Sequence, residues 1–270
     1  MLAINACREQ ARSYVHKVQH DWLLLLLIGL ASVSALAADE IQVYNGDLRA
    51  LGESGVEIHL NYATKGERAI QWPGQVPSHH ALNFTPEFSW HLAENMDWGI
   101  YVPTTREPGG AWVGNGIKGR VKYIGSQGSD EEQSFWGVNF ELARNRLSVS
   151  ESNWSTELRG ILGIERSAWA IAGNVLLGND WSGPGRSGIP ELGVNGSVVA
   201  KINPRWSAGA EHHASLGRIN DLQPWSKSEQ TSFLVENYAG NGWALHLGLG
   251  HNWTAIGDKT VVKAILGLDF

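Results

Sequence analysis

Charged side chains recur at every second position of several short apolar segments, and they are the residues of this chain best suited to chemistry. Lys118, Arg120 and Lys122 alternate with apolar neighbours, as do Glu57 and His59. Because alternate residues of a strand point to opposite faces, each segment places its charges on one face. Such a face can line a pore that screens solutes, or it can fill a closed interior with ion pairs.

The same alternation collects charges and histidines from many segments into one predicted lumen. Acids and bases are mixed in this set, so some must pair across the interior. Lys118, Arg120 and Lys122 form its densest stripe of one sign, which could favour anions unless Glu141 neutralises it. The predicted lumen-lining residues are Glu57, His59, Glu87, Lys118, Arg120, Lys122, Glu141, Glu157, Arg159, Glu211, Glu236, His246 and Lys263.

One histidine and one serine raise the possibility of hydrolysis. The sequence His213-Ala214-Ser215 resembles the His-x-Ser pair of outer-membrane lipid hydrolases. Such an enzyme needs the histidine to activate the serine and a third group to orient the ring. Alternation places His213 on the lumen face, and no third member follows at a familiar spacing. We therefore predict no catalytic residues and keep a lipid hydrolase as a minor alternative.

Several histidines are predicted to gather at one level near the outer mouth, where converging rings could bind a transition metal. They come from different strands, so only the fold could bring them together. We predict no metal site and no cofactor. These residues are His79, His80, His212, His213 and His251.

Twelve segments with a period of two predict an all-β chain that forms one antiparallel up-and-down barrel. Five of them open with a tryptophan. If the strands run up and down, these rings share one edge of the sheet, as in the aromatic belt of a membrane–water interface. The predicted interface aromatics are Trp98, Trp136, Trp169, Trp206, Trp243 and the terminal Phe270.

The connections between these segments alternate between short and long, which is typical of outer-membrane barrels with short periplasmic turns and long outside loops. This alternation places both chain ends and the five tryptophans on the periplasmic side. The exception is Gly125–Phe135, which should be short and is predicted as an acidic periplasmic loop.

Residues 1–37 predict a secretory signal peptide that is cleaved. Arg8, Arg12 and Lys17 precede a leucine-rich run, and Ala35-Leu36-Ala37 is a small-x-small cleavage pattern. The alternative is a single membrane anchor, for which the apolar run is too short. Residues 38–54 then form an N-terminal segment that either folds into the barrel as a plug or hangs in the periplasm, and residues 55–270 form the barrel.

The mature chain is acidic and free of cysteine. Residues 38–270 contain 18 Lys and Arg against 25 Asp and Glu, a net charge of −7. This balance argues against a nucleic-acid partner, which would need a basic face. The sole cysteine, Cys7, lies before the predicted cleavage point, so the mature chain offers no disulfide and no thiol nucleophile.

A soluble periplasmic sandwich would also have strands with a period of two, with its apolar face as a shared core. Three observations favour the membrane: the tryptophans share one edge, the chain ends on a strand with a terminal phenylalanine, and the polar face carries too many charges for a packed interior. Phe270 also resembles the C-terminal signal that the outer-membrane assembly machinery reads.

Five stretches of strand pattern carry a resemblance to a known group. They are Val43–Asp47, His59–Tyr62, Leu82–Phe88, Phe135–Leu142 and Lys263–Phe270. They are similar to proteobacterial outer-membrane proteins grouped with the transporters of the meta-pathway of phenol degradation. The resemblance implies an outer-membrane barrel that takes up small molecules, aromatic ones included, and it brings no catalytic signature.

We therefore expect a bacterial outer-membrane barrel that acts as a passive channel for small solutes, without a cofactor. Its expected partners are outer-membrane lipid, the assembly machinery and the solutes themselves. Two alternatives remain: a closed barrel that is structural or binds partners through its outer loops, and the lipid hydrolase centred on His213 and Ser215.

Overall fold

A single antiparallel sheet closes on itself in the computed structural model, which describes residues 40–129 and 132–270. The predicted signal peptide lies outside the described residues. Neighbouring strands of the ring pair antiparallel, in chain order apart from two short segments described below, and the first strand pairs with both the second and the last. The predicted up-and-down barrel is thereby confirmed.

Fourteen strand segments form the twelve strands of the barrel, because two barrel strands are each interrupted once. The short segments β4 and β5 pair with each other, and they continue the barrel strands of β3 and β6 respectively. The strands are β1 (Ser54–Lys65), β2 (Leu82–Ala93), β3 (Met96–Tyr101), β4 (Thr104–Arg106), β5 (Trp112–Gly114), β6 (Gly116–Gly128), β7 (Glu132–Asn145), β8 (Trp154–Arg166), β9 (Trp169–Ser182), β10 (Glu191–Lys201), β11 (Trp206–Arg218), β12 (Glu229–Gly240), β13 (Trp243–Asn252) and β14 (Thr260–Asp269). A short 3-10 helix, Trp225–Lys227, precedes β12.

Closure of the barrel depends on the pairing of β1 with β14. Gly55 lies opposite Asp269, and the register continues to Ala63 opposite Val261. We call the end of the barrel that carries Ser54 and Asp269 the terminal end, and the opposite end the loop end. Ser54 and Phe270 exchange two backbone hydrogen bonds of 3.0 Å, so the chain termini of the barrel are fastened together at the terminal end.

The turn between β6 and β7 corrects one prediction. The sequence predicted a long acidic loop over Gly125–Phe135, whereas β6 continues to Gly128 and β7 begins at Glu132. Polar residues such as Gln127 and Ser134 pair across the ladder, because strands that extend past the membrane into water need no apolar face. The connection is therefore short, in line with the other turns at the terminal end.

The outward face of the barrel is apolar and bounded by two bands of tryptophan. Leu158, Leu162 and Val175 are 45 %, 59 % and 45 % exposed on this face. Near the terminal end lie Trp90, Trp98, Trp136, Trp169, Trp206 and Trp243, and near the loop end lie Trp112, Trp154, Trp181, Trp225 and Trp253. The sequence analysis had assigned only the terminal-end band. An apolar zone between two aromatic girdles is the surface of a membrane-spanning barrel.

Within the described ranges, no helix has the length and apolar character to span a membrane.

The two girdles predict how a charge on the outward face affects stability. Leu158 pairs with Phe140, halfway along β7 between Trp136 and Arg144, and Arg144 is the register partner of Trp154. A Leu158→Arg barrel should lose about 2–4 kcal/mol of unfolding free energy, as charges at the bilayer midplane do. The measurement is reversible urea unfolding of the barrel in lipid vesicles.

The matched control is Ile164→Arg, on the same strand and face but opposite Ser134, beyond the Trp136 girdle. At that depth the cost should fall to about 0–1 kcal/mol. Equal losses for the two variants would contradict the membrane position of the girdles.

Candidate functional site

The structure turns most of the predicted lumen residues into the barrel. The side chains of Lys263, His59, Arg120 and Glu87 are 0 %, 1 %, 4 % and 3 % exposed, and even Glu57 is only 24 % exposed. The residues that face inward and are wholly or largely buried are Glu57, His59, Glu87, Lys118, Arg120, Lys122, Glu141, Glu157, Arg159, Glu211, His246 and Lys263.

Glu236 was predicted in the lumen but lies on the outward face. It is exposed, and its cross-strand partners Ala208 and Leu247 also point outward. The inward residues of β12 are instead Phe233 and Val235, which are 1 % and 4 % exposed. The sequence analysis assumed that charges face the lumen and apolar residues face lipid, and that assumption fails here because β12 presents an apolar inner surface.

The N-terminal segment, residues 40–53, explains that apolar surface, because it lies within the lumen. Ile41 packs against the inward cluster formed by Ala63, Phe233, Val235 and Val261. Val43 and Tyr44 pack in a second cluster with Ile124, Phe135, Ile161 and Ala172 from the opposite wall. A segment that contacts opposite walls at once must occupy the interior between them.

Tyr44 is one of the two most extensively bonded residues of the segment. Its backbone N–H donates to Asn174 Oδ1 at 2.7 Å, and its carbonyl accepts from Asn174 Nδ2 at 2.8 Å. Its hydroxyl lies 2.7 Å from Glu40, 3.0 Å from Tyr101 and 3.2 Å from Glu141. The Arg159 guanidinium lies 4.1 Å from the ring centroid. Tyr44 lies within the stretch Val43–Asp47, and no partner for it was predicted from the sequence.

Wall cations hold the rest of the segment. Lys118 Nζ donates to Glu40 Oε2 at 2.7 Å, Arg159 Nη1 to the Gln42 carbonyl at 3.2 Å, and Lys263 Nζ to the Ile41 carbonyl at 3.0 Å. Beside Glu40 lies a polar cavity of about 40 Å³. This space holds little more than water.

Neighbouring acids neutralise the basic stripe of β6. Lys118 lies 3.1 Å from Glu141, Arg120 pairs with Glu87 at 2.7 Å and with Asp97, and Lys122 lies 3.6 Å from Asp97. A simple anion filter is therefore absent from this part of the described lumen. Asp97 was not predicted as a lumen residue. The predicted strand began at Trp98, whereas the strand in the structure begins at Met96 and includes Asp97.

The predicted histidine–serine pair faces the lumen, as alternation indicated, and the histidine has another partner. His213 Nε2 lies 3.1 Å from Glu211 Oε2, and Lys263 Nζ donates to the same oxygen at 2.5 Å. Ser215 is 7 % exposed and lies on the lumen face of the same strand. Glu211 could orient the ring of His213, but the described hydrogen bonds include none between His213 and Ser215, and both side chains face the lumen. This pair therefore does not form the lipid-facing site that a lipid hydrolase needs.

The rim histidines do not converge on one point. His79 and His80 stack at 3.9 Å, whereas His212 and His251 lie on the outward face on either side of Ser232. Partial burial lowers the pKa of His79, and the charge of Arg68 and the neighbouring His80 lower it further. Two stacked rings alone do not make a metal site.

One group in the lumen does have the spacing of metal ligands. Glu57, His59 and Glu87 each bring a ligand atom to within 4.8 Å of the others. Guanidinium groups already bond both carboxylates, Arg49 to Glu57 at 2.6 Å and Arg120 to Glu87 at 2.7 Å. A metal ion here would add charge beside two fixed cations, so this arrangement fits an ion-pair network.

Comparison with known proteins gives structural matches and no sequence match. No family model matches the chain, and no curated protein matches it. An outer-membrane channel from Pseudomonas putida F1 aligns with a TM-score of 0.60 and 10 % identity over 86 % of this chain and 100 % of that chain. A porin named KdgM aligns with a TM-score of 0.51 and 11 % identity over 80 % of this chain and 99 % of that chain. At these identities the likeness establishes the fold that this chain shares with outer-membrane barrels.

The paired hydrogen bonds of Asn174 generate a prediction about the N-terminal segment. Because residues 38–270 contain no cysteine, Val43→Cys in a chain of these residues would introduce a single thiol, at a side chain that is 7 % exposed. Asn174→Ala removes two bonds to the segment backbone, each worth roughly 1 kcal/mol. Maleimide labelling of the thiol should then become about ten times faster or more.

The control is Asn237→Ala. The side-chain amide removed by this substitution forms hydrogen bonds with Ser207 and His246 of the wall and none with the segment. The labelling rate of this control should equal that of the parent. A thiol that reacts rapidly in the parent protein would contradict the position of the segment in the lumen.

Proposed function

We propose that this chain is a bacterial outer-membrane channel through which small solutes diffuse passively. The observation that carries the proposal is a closed barrel with an apolar outer band, two aromatic girdles and an interior of buried ion pairs. Charged side chains line the water-filled pores of channels. The terminal end, with its short turns, would face the periplasm.

We further propose that the N-terminal segment is a removable plug. It joins the barrel wall only at Ser54, and its described contacts with the lumen are noncovalent. If cleavage follows Ala37, only Ala38 and Asp39 precede Glu40. No length of chain would then have to be drawn through the lumen, and the segment could leave toward the periplasm. The domain plan of residues 38–54 as plug and 55–270 as barrel is part of this proposal.

The solutes and partners belong to the same proposal. The sequence resemblance to transporters of the meta-pathway of phenol degradation supports small molecules, aromatic ones included, as cargo. One aligned structure, with a TM-score of 0.50 and 9 % identity over 80 % of this chain and 98 % of that chain, is the KdgM porin in complex with disordered oligogalacturonate, so a barrel of this fold can hold an extended solute. Outer-membrane lipid would cover the outward face, and the assembly machinery would read the last strand, where Phe270 is 73 % exposed.

The second candidate function is a closed barrel that acts structurally or through its outer loops. The observation that favours it is the filled lumen, in which Tyr44 and Lys118 tie the segment to the wall. The two candidates differ in one property, namely whether the segment leaves the lumen on a functional timescale.

Single-channel conductance separates the two functions. We expect the refolded mature chain to remain mostly closed with brief openings in a planar bilayer, because many buried polar contacts hold the segment. A barrel that begins at Ser54 should conduct continuously, with a mean current several-fold higher.

The control for this deletion is Asn174→Ala in the full mature chain, which weakens the segment without removing residues and should give intermediate open times. Correct insertion is checked by heat-modifiable gel mobility. An inserted Ser54–Phe270 barrel that passes no current would reject the channel and leave the closed barrel.

A further inference from the structure

Arg49 connects the N-terminal segment to the terminal end of the barrel through four wall acceptors. Its Nε donates to Ser89 Oγ at 2.8 Å, its Nη2 to Glu57 at 2.6 Å, and its Nη1 to Asp269. Its backbone N–H donates to Asp97 at 3.3 Å. The three guanidinium nitrogens thus each meet an acceptor from a different strand, and only 14 % of the side chain is exposed.

A glycine creates the space for this guanidinium. Gly55 lies directly opposite Ser89 on one side and Asp269 on the other, so the three residues form a row across β2, β1 and β14. A Cβ at Gly55 would lie 2.5 Å from Arg49 Cζ and 2.8 Å from Nη1. Any other residue at position 55 would fill the place of the guanidinium. The wall is therefore shaped for a planar group as well as charged for a cation.

The charge of this region depends on Arg49. The network around the guanidinium includes the carboxylates of Glu57, Glu87, Asp97 and Asp269, against the wall cations Arg120 and Lys122. With the segment in place, the positive charge of Arg49 offsets part of the negative charge of these carboxylates. Without it, four carboxylates face Arg120, Lys122 and the imidazole of His59, whose Nε2 lies 3.3 Å from Glu87 and 3.9 Å from Glu57. Glu57 and Asp269 then lose the guanidinium that lies against them. Glu57, at 24 % exposure, is costly to leave without a cation, whereas Asp269 is 51 % exposed and partly hydrated. The emptied site would therefore attract a replacement cation mainly through Glu57.

We propose that the row of Ser89, Gly55 and Asp269, together with Glu57, is a binding site for guanidinium-bearing solutes in the open channel. Arg49 occupies this site in the closed state and acts as an internal stand-in for the solute. A planar fork of donors matches two carboxylates and a hydroxyl better than a spherical ammonium does. This proposal rests on the proposed function, because the segment must leave the lumen before a solute can use the site during passage.

Two consequences follow for a channel that carries such a site. A guanidinium solute competes with Arg49 and thereby favours the open state, because a ligand that binds one state better shifts the population toward it. The open lumen should also prefer cations near its terminal end, in spite of the lysine and arginine stripe on β6, because that stripe is paired with acids in the wall.

The binding experiment uses the full mature chain with Arg49→Ala and the probe methylguanidinium. Titration calorimetry in detergent should give a saturable heat for Arg49→Ala and none for the parent, whose site is filled. The variant Arg49→Ala/Glu57→Gln/Asp269→Asn, which lacks the two charged acceptors, should lose at least tenfold in affinity. Methylammonium, which has the charge without the planar fork, is the control ligand.

A saturable heat that depends on Glu57 and Asp269 and exceeds that of methylammonium supports the site. Equal heats for methylguanidinium and methylammonium would overturn the proposed site. So would the absence of a saturable heat both in Arg49→Ala and in the Ser54–Phe270 barrel. The second protein keeps the test valid if Arg49→Ala folds poorly. Calorimetry requires no current, so failure of the channel and failure of the site are distinguishable.

The functional experiment uses the Ser54–Phe270 barrel in a tenfold salt gradient. Its reversal potential should indicate cation preference, and Glu57→Gln/Asp269→Asn should shift the reversal potential toward zero or toward anions. The matched control, Glu165→Gln, removes an acid that pairs with Lys201 at 2.5 Å outside this network. A conducting barrel that prefers anions, or whose selectivity the double variant leaves unchanged, would contradict the proposed cation site while leaving the channel intact.

Discussion

Every backbone N–H and C=O group in the membrane-spanning part of this barrel must find a hydrogen-bond partner on a neighbouring strand. Lipid offers no partner to an exposed N–H or C=O, so a membrane sheet must have no free edge. The pairing of β1 with β14 meets this requirement, and the mutual bonds of Ser54 and Phe270 complete it at the terminal end. Closure with twelve strands also sets the width of the lumen. Barrels of about eight strands are filled by their own side chains, whereas sixteen or more leave a water channel.

A barrel of intermediate width needs additional material to close, and here the N-terminal segment supplies it. Val43 and Tyr44 pack on one wall while Ile41 packs on the other. Between these apolar contacts, wall cations bond the carboxylate of Glu40 and the carbonyls of Ile41 and Gln42. The interior is therefore a polar network in which a separate piece of chain completes the pairing. Water or solute can replace such contacts at moderate cost, unlike the contacts of a packed apolar core.

This division of contacts relates structure to function. The hydrogen-bonded ring of strands does not need the segment in order to close, because no ladder bond of the barrel involves residues 40–53. The segment instead contributes charge: Glu40 at the middle of the lumen and Arg49 at its terminal end. If the segment withdraws, as proposed, wall groups of opposite sign would be exposed at the two positions. A small solute that carries matching groups could then bind there.

The barrel, its approximate strand number and most of the inward residues could be predicted from the sequence, because a period of two is a local property of each strand. The tryptophan band at the terminal end could be predicted as well, since turn length and strand order fix that edge.

Other features depend on contacts between strands and could be seen only in the folded barrel. The tertiary structure turned Glu236 outward where β12 presents Phe233 and Val235 to the lumen, and it extended β6 and β7 through the predicted loop. It also brought Tyr44 to Asn174, 130 residues away, and Arg49 to Asp269, 220 residues away. Such pairings exist only once the ring is closed, because the partners belong to strands whose positions across the lumen depend on all the others.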